Sequence, residues 1–269
     1  MPQWIRSKPI GCKRFFAGMP KTRLDAEMVS RELCNSQEQA KRFILAGQVL
    51  VNGHPSTKPG RQIKGDEEIF LKARPRFVGR GGQKMEGALD TFRIDPKGLT
   101  CLDIGASTGG FTDCLLQRGA ERVYTLDVGT NQLAWKIRSD PRVVARENFN
   151  ARYLTPDDLP EKPSLIVIDV SFISLTRILP PAASVLASSG AIICLIKPQF
   201  ELGRAEVGKG GIINDPHAHQ RAYGKIQTFV TTEIDDLEWG GLMDSPITGA
   251  EGNREFLALL RRPSESPQH

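Results

Sequence analysis

Apolar residues in the C-terminal two thirds of the chain come in short unbroken runs that alternate with amphipathic stretches. Five of these runs predict strands, at residues 99–105, 122–128, 142–149, 164–172 and 191–198. Helical patterns such as 110–118 and 175–187 lie between them. Apolar strands separated by helices predict a parallel sheet buried on both faces. The later segments LEWGGLMDSPI and REFLALLRR predict two more strands, an antiparallel pair that closes the sheet.

Residues 21–72 show a different pattern, which is typical of a small α+β unit. The apolar positions of LDAEMV predict a short helix with Thr22 as its N-cap, and a second helix is predicted from Ser36 to Gly47. The segment VLVNGHP predicts a strand with an Asn-Gly turn, and residues 68–72 predict a closing strand. Because about fifty residues form only a small core, we expect this unit to be marginally stable alone.

The composition is that of an ordinary globular protein, with 39% hydrophobic and 25% charged residues. No run of about eighteen apolar residues predicts a membrane span. The odd cysteine count and the absence of a Cys-x-x-Cys pair argue against a zinc site or a disulfide framework, so no metal is expected and a reducing cytoplasm is predicted. The cysteines are Cys12, Cys34, Cys101, Cys114 and Cys194.

Positive charge is concentrated at the front of the chain. Residues 1–86 carry 17 Lys and Arg against 8 Asp and Glu, whereas the remainder carries 19 against 23. A basic front joined to a mildly acidic body favours a polyanionic partner, and charge alone leaves a solvated surface as the alternative.

Changes in composition predict how the chain is divided. The basic N-terminus lacks the apolar region of a secretory signal, and a transit peptide and an early start codon ahead of Met19 both remain open. The predicted segments are a disordered extension at 1–20, a small domain at 21–72, a basic linker at 73–83, a large domain at 84–263 and a disordered tail at 264–269.

The segment LDIGASTGGF predicts a strand, a glycine-rich turn and a helix, an arrangement that binds nucleotide cofactors. Its Gly-x-x-x-Gly-Gly spacing favours S-adenosylmethionine over a dinucleotide, although turn chemistry remains the alternative for each residue alone. Asp103 is expected to face the cofactor ammonium, Asp127 the ribose hydroxyls, and residues 148–150 the adenine edge. The candidate cofactor residues are Asp103, Gly105, Ala106, Ser107, Gly109, Gly110, Phe111, Asp127, Asn148, Phe149 and Asn150.

Four charged residues are predicted at element ends that meet at one opening: Lys84, Asp169, Lys197 and Glu255. An ionic side chain at the mouth of an apolar strand costs several kcal/mol if it stays unpaired. A functional cluster is therefore the favoured explanation, and a structural ion-pair network is the alternative. Cys194 lies in the middle of a strand and is predicted to be a core residue, not a nucleophile.

The string TRLD…QAKRFILAGQVLVNG…IKGDEEIFL resembles the S4 RNA-binding domain. The resemblance implies a basic helical face toward RNA phosphates. The chain departs from that pattern at Glu32 and at Ser36-Gln37, where positive charge is reduced. The candidate RNA-binding residues, including those of the linker, are Arg23, Arg31, Lys41, Arg42, Arg74, Arg76 and Arg80.

The charged set resembles the Lys-Asp-Lys-Glu tetrad of FtsJ-type ribose 2′-O-methyltransferases. The resemblance implies Lys197 as general base, because a desolvated lysine near a second cation releases its proton more readily. Asp169 then orients Lys197 and the substrate, while Lys84 and Glu255 steer the hydroxyl. A nucleobase-nitrogen enzyme tends to carry an Asn/Asp-Pro-Pro-aromatic motif where this chain reads Asp169-Val-Ser-Phe.

The strings RPRFVGRGGQK, IDVSFISL, IKPQFELGR, VGKGGIINDP and SPITGAEGNREF follow in order, and with the front domain they resemble the TlyA family, often labelled hemolysin A, over residues 21–262. The resemblance implies a Rossmann-like class I methyltransferase, with a mostly parallel seven-stranded sheet, behind a small α+β RNA-binding domain. It also implies S-adenosylmethionine as cofactor, ribosomal RNA or subunits as partner and a cytidine ribose as acceptor. Lys209 is expected on the RNA rim or on a flexible lid. A monomer is expected.

Three other functions stay open. A non-catalytic ribosome-assembly factor would bind RNA without transferring methyl groups. A membrane-damaging protein is suggested only by the family label, and the chain shows no strongly amphipathic helix for it. A dehydrogenase would bind NAD at the glycine-rich turn.

Overall fold

A computed structural model describes residues 4–6, 21–34, 36–72, 76–203, 206–249 and 251–263. The predicted tail at 264–269 and most of the predicted extension lie outside the described residues. The chain divides into two compact units at the boundary between Pro75 and Arg76. Each unit is described by itself.

The first unit places two helices beside short antiparallel strands. Its four-stranded sheet has the order β1-β6-β3-β4, and β2 pairs with β5. Leu24, Phe43 and Ile69 are among the buried residues of its core. The elements are β1 (Trp4–Arg6), β2 (Thr22–Arg23), α1 (Leu24–Ser30), α2 (Gln37–Leu45), β3 (Val49–Val51), β4 (His54–Pro55), β5 (Gln62–Ile63) and β6 (Ile69–Lys72).

Most of the local predictions for this unit agree with the structure. The Ser36 hydroxyl accepts a hydrogen bond from the Gln39 amide and caps α2. Asn52 and Gly53 have positive φ angles, as the predicted Asn-Gly turn requires. The N-cap prediction at Thr22 is wrong, because Thr22 belongs to β2 and α1 begins directly after it. Strand β1 also lies within the segment predicted to be disordered.

The second unit is an α/β domain. Residues 76–80 of the predicted linker belong to it by contact, and Phe77 is buried in its core. The elements are α3 (Gly81–Phe92), β7 (Thr100–Ile104), α4 (Gly110–Gln117), β8 (Arg122–Leu126), α5 (Trp135–Arg138), β9 (Val143–Arg146), β10 (Leu165–Ile168), α6 (Leu179–Val185), β11 (Ala191–Ile196), α7 (Pro198–Glu201), α8 (Pro216–Glu233), β12 (Glu238–Asp244) and β13 (Phe256–Arg261).

The strands of this unit form one seven-stranded sheet in the order β12-β13-β11-β10-β7-β8-β9. The five strands from β7 to β11 pair in parallel. Strand β13 runs antiparallel between β11 and β12. The predicted mostly parallel sheet with an antiparallel closing pair is confirmed. The strand order reverses between β7 and β10, which is where open α/β sheets bind ligands.

Helices cover both faces of the sheet. Consecutive residues of a strand point to opposite faces, so both sets of side chains are buried. In β10, Ile166 and Ile168 pack on the face covered by α6 and α8. Leu165 and Val167 pack on the other face, against α3 and α4. This arrangement explains why β10 and β11 are apolar at every position.

Helix α8 is the main element that the sequence pattern did not predict. It has eighteen residues, and the Asp215 carboxylate caps it by accepting from the His217 and Ala218 amides. Its buried face repeats at Ala218, Ala222, Ile226 and Val230, the spacing of an amphipathic helix. None of the helices in the described part of the chain combines the length and the apolar character that a membrane crossing requires.

Candidate active site

The four charged residues of the predicted cluster lie at one edge of the sheet. Asp169 and Lys197 directly follow β10 and β11, so the parallel strands bring both to their carboxyl ends. Strand β13 runs the opposite way, and Phe256 pairs with Ile196. Glu255, which precedes Phe256, therefore lies at the same edge as Lys197.

These residues form two ion pairs. The Lys84 Nζ, on the first turn of α3, lies 2.5 Å from Glu255 Oε2, and the Lys197 Nζ lies 2.6 Å from Asp169 Oδ1. Lys197 also donates a hydrogen bond of 2.8 Å to the Ser171 hydroxyl. Each lysine of the cluster is thus held beside a carboxylate.

The glycine-rich turn after β7 passes close to the backbone of the neighbouring strand. Gly105 has a φ of 84°, and a Cβ at this position would lie 2.3 Å from the Asp169 carbonyl oxygen. A Cβ on Gly110, at the start of α4, would lie 3.0 Å from the Gly82 amide nitrogen. Gly105 therefore requires glycine, whereas a side chain at Gly110 would need its neighbours to move by a few tenths of an ångström.

Two cavities open on this turn. The first, of about 260 Å³, is lined by the turn, the start of α3 and Asp169. The second, of about 420 Å³, lies toward β8 and β9 and shares Gly105, Ser107 and Asp169 with the first. Of the predicted cofactor residues, Gly105, Ala106, Ser107, Gly110 and Phe111 line the first cavity, and Asp127, Phe149 and Asn150 line the second. Gly109 caps α4 with a positive φ, and Asn148 lies exposed in a turn with a positive φ.

Asp127 joins the two loops of the second cavity. Its carboxylate oxygens accept hydrogen bonds of 2.7 Å from the Ser107 amide and of 2.7 Å from the Gly129 amide. A carboxylate has about four acceptor positions, so further positions remain for the two hydroxyls of a ribose. This geometry fits the predicted role of Asp127.

Asp103 is completely buried beside the glycine-rich turn. Its Oδ2 accepts hydrogen bonds from the Thr112 amide and hydroxyl, whereas its Oδ1 has no hydrogen-bond partner among the described residues. Burial raises the pKa of Asp103 to about 7. Asp103 is not among the residues that line either cavity, so its contact with the cofactor ammonium stays a prediction.

A third cavity, of about 320 Å³, lies on the other side of the ion pairs. Lys197 and Glu255 line it, whereas Lys84 and Asp169 line the first cofactor cavity. Each ion pair therefore has one member in the cofactor cavity and one in the third cavity, which we call the acceptor cavity. A methyl donor on one side and an acceptor on the other would meet at these four side chains.

A basic groove borders the acceptor cavity, and nothing in the sequence pattern indicated it. Arg152 and Arg177 line it together with Gln199 and the rings of Phe172 and Phe200. No ion pair to either arginine is found in the described part of the chain, and Phe172 is 91% exposed. The groove is assembled from the loops after β9, β10 and β11, which are distant in sequence.

The predicted RNA-binding residues of the first unit differ in exposure. Arg23, Lys41 and Arg42 are exposed on the first unit, where Arg23 pairs with Asp25. Arg31 differs, because its side chain is 6% exposed and is bound to Glu27 and to the carbonyl oxygens of Gly65 and Glu67. That side chain holds the unit together and is not presented to a phosphate.

The linker arginines lie in different surroundings. Arg76 is exposed and pairs with Glu86. Arg80 donates a hydrogen bond to the Thr248 carbonyl and lines the first cofactor cavity. Arg74 and the side chain of Lys209 lie outside the described residues.

The side chains present do not suit cysteine or metal chemistry among the described residues. Cys194 is completely buried, and burial raises the pKa of its thiol to about 12, so it is a core residue as predicted. No group of three or more metal-binding side chains occurs within the described ranges.

The seven-stranded sheet with an antiparallel closing pair, and the glycine-rich turn at its strand reversal, are those of a class I methyltransferase, the class that uses S-adenosylmethionine. The family described as FtsJ-like methyltransferase matches residues 77–262, and the S4 domain matches residues 22–69. The chain belongs to the FtsJ-like methyltransferase family.

Similar proteins cover both units. "Putative rRNA methyltransferase YqxC" of Bacillus subtilis is 47% identical over 92% of this chain and 88% of its own. "16S/23S rRNA (cytidine-2'-O)-methyltransferase TlyA" of Mycobacterium tuberculosis is 41% identical over 91% of each chain. A solved structure, "Putative hemolysin from Streptococcus thermophilus", is 45% identical, with a TM-score of 0.69 over 93% of this chain and 91% of its own.

Proposed function

We propose that this protein transfers a methyl group from S-adenosylmethionine to the 2′-hydroxyl of a cytidine ribose in ribosomal RNA. The proposal is carried by two ion pairs, Lys84–Glu255 and Lys197–Asp169. Each ion pair has one residue that lines the cofactor cavity and one that lines the acceptor cavity. The relative from Mycobacterium tuberculosis is named as a cytidine-2'-O-methyltransferase of 16S and 23S rRNA, which is the same reaction.

The bound cofactor supplies an electrophilic methyl group. A ribose hydroxyl is a poor nucleophile and must lose its proton as it attacks, so the site needs a base at the acceptor side. Lys197 is our candidate, since this residue lines the acceptor cavity and a neutral lysine amine accepts a proton. Asp169 and Ser171 fix the direction of that Nζ from 2.6 Å and 2.8 Å.

Lys84 and Glu255 have a steering role in this proposal. Glu255 lines the acceptor cavity as a hydrogen-bond acceptor, and Lys84 balances its charge from the cofactor side. Because both are buried, the hydroxyl group meets a fixed arrangement of charges that needs little reorganisation during the reaction.

Two basic surfaces support RNA as the acceptor. Arg23, Lys41 and Arg42 are exposed on the S4 unit, and Arg152 and Arg177 line the groove beside the acceptor cavity. Arginine and lysine at such surfaces attract phosphates and make binding salt-dependent. We further propose a monomeric protein of the cytoplasm, where ribosomal subunits are found.

The proposal is tested by incubating ribosomal subunits with the purified protein and labelled S-adenosylmethionine, then mapping 2′-O-methylation. We expect one or a few methylated cytidines. A protein that binds subunits but transfers no label would instead be a non-catalytic assembly factor. Release of dye from liposomes by the protein alone would support the membrane-damaging activity that the name hemolysin implies.

A further inference from the structure

Glu201, the last residue of α7, has a buried carboxylate that joins separate segments of the methyltransferase unit. Its Oε2 accepts a hydrogen bond of 2.5 Å from the Ser174 hydroxyl, and its Oε1 accepts one of 2.9 Å from the Leu175 amide. From α8, the Lys225 Nζ lies 3.8 Å from Oε2 and donates to the Glu201 carbonyl oxygen. Glu201 itself is only 4% exposed.

A carboxylate in this position is costly. Burial raises the pKa of the Glu201 carboxyl, which means that the surroundings disfavour its charge, and the two hydrogen bonds and Lys225 offset only part of that cost. An apolar residue would fill the space more cheaply if packing were its purpose. The presence of a carboxylate here is therefore explained by the segments that its hydrogen bonds join.

Glu201 holds the two loops that carry the reacting side chains. The loop after β10 contains Asp169 and Ser171 and continues into Ser174, whereas the turn after β11 contains Lys197 and continues into Glu201. At the site, Lys197 bridges the loops through Asp169 and Ser171. Glu201 bridges the same two loops a few residues farther along, so the distance between Lys197 and Asp169 is fixed from two points.

We propose that Glu201 is a positioning residue for methyl transfer, which sets the placement of Lys197 relative to Asp169 by clamping the turn after β11 to the loop after β10. It touches neither cofactor nor RNA and acts through Lys197. The inference rests on the proposed function, because ribosomal RNA is the acceptor used to measure it.

The test compares steady-state transfer by the full-length protein and by two variants. Glu201→Ala removes both acceptors, and we expect kcat to fall about 10- to 100-fold, as a displaced reacting group does, while KM for RNA and for S-adenosylmethionine changes less than about threefold. Glu201→Gln keeps an acceptor for the Leu175 amide and a polar contact for Ser174, so it should recover most of kcat. Glu233→Ala, an exposed glutamate on α8, is the matched control and should leave both constants unchanged.

The outcomes separate this inference from the proposed function. If the unaltered protein transfers no methyl group to RNA, the proposed function fails and this inference with it. If the unaltered protein is active and Glu201→Ala keeps kcat within about twofold, the positioning role of Glu201 is overturned and the proposed function stands. Should Glu201→Ala fail to fold, Ser174→Ala decides, because it removes one clamp hydrogen bond and should lower kcat several-fold at unchanged KM; full kcat in that variant overturns the inference.

Discussion

The Lys84 Nζ lies 2.5 Å from the Glu255 Oε2, and this contact joins the first turn of α3 to the residue before β13, 171 positions later in the chain. The two side chains are only 9% and 3% exposed. A buried ion pair of this kind adds little net stability compared with apolar residues, but loss of one partner leaves an unpaired charge inside the protein.

Glu255→Ala should therefore lower the free energy of unfolding by about 3–5 kcal/mol. The double variant Lys84→Met with Glu255→Leu should recover most of that loss and yet transfer no methyl group, because the charges steer the hydroxyl. Urea unfolding and transfer to ribosomal RNA measure the two effects separately. A double variant that is stable and fully active would remove this pair from the catalytic set.

Lys197→Ala should lower kcat by about 10²- to 10⁴-fold, the usual contribution of a general base. Lys197→Arg is the informative companion, since arginine keeps the positive charge beside Asp169 but does not lose its proton in proteins. We expect it to be as inactive as the alanine variant in a single-turnover assay. Substantial activity with arginine would mean that residue 197 acts only through its charge.

Asp103 should make stability depend on pH. Its pKa in the folded protein is about 7, raised from 3.8, so its contribution to stability is complete below about pH 4 and is lost as the pH rises through 7. Asp103→Asn cannot ionise, so its stability relative to the unaltered protein should increase by a few kcal/mol between about pH 4 and pH 7.

Unfolding in urea at several pH values measures this difference. Asp157→Asn, which alters an exposed carboxylate, is the control for the substitution itself. A difference between Asp103→Asn and the unaltered protein that stays constant with pH would mean that Asp103 does not titrate in that range.

Arg177→Ala should weaken RNA binding about 3- to 10-fold and reduce the slope of log affinity against log salt by about one, as the loss of one phosphate contact does. Binding of S-adenosylhomocysteine should be unchanged. Lys162→Ala is the matched control, because Lys162 is exposed and precedes β10, at the opposite end of the strand from the site. Equal effects of the two substitutions would indicate a general loss of charge and no specific groove.

Much of the catalytic unit could be predicted because its parallel strands are short, mostly apolar runs and several key polar residues come directly after them. Asp127, Asp169 and Lys197 each follow a strand, so their common location follows from the parallel sheet. The pairing of Asp169 with Lys197 was predicted, but the contact between Lys84 and Glu255 could not be predicted in this way. Lys84 comes from a helix outside the sheet and meets Glu255 only because β13 runs antiparallel.

Other features depended on contacts that no local pattern reveals. Arg31 was predicted to bind RNA, but its guanidinium is already bonded to Glu27 and to two carbonyl oxygens of the small unit. The groove of Arg152 and Arg177 exists only after three loops meet. Helix α8 is different, since Asp215-Pro216 is a readable N-terminal signal and its buried residues have helical spacing.

Strand β13 occupies an interior place in the sheet, between β11 and β12, although it follows all other strands in the chain. Because ribosomes release a chain from its N-terminus, the RNA-binding unit and the cofactor turn emerge long before the segment that contains Glu255. The sheet cannot close, and Lys84 cannot meet its partner, until β13 has been released. The charged cluster is therefore completed only by the last strand to be made, and a chain that ends ahead of residue 255 lacks both Glu255 and the strand that places it.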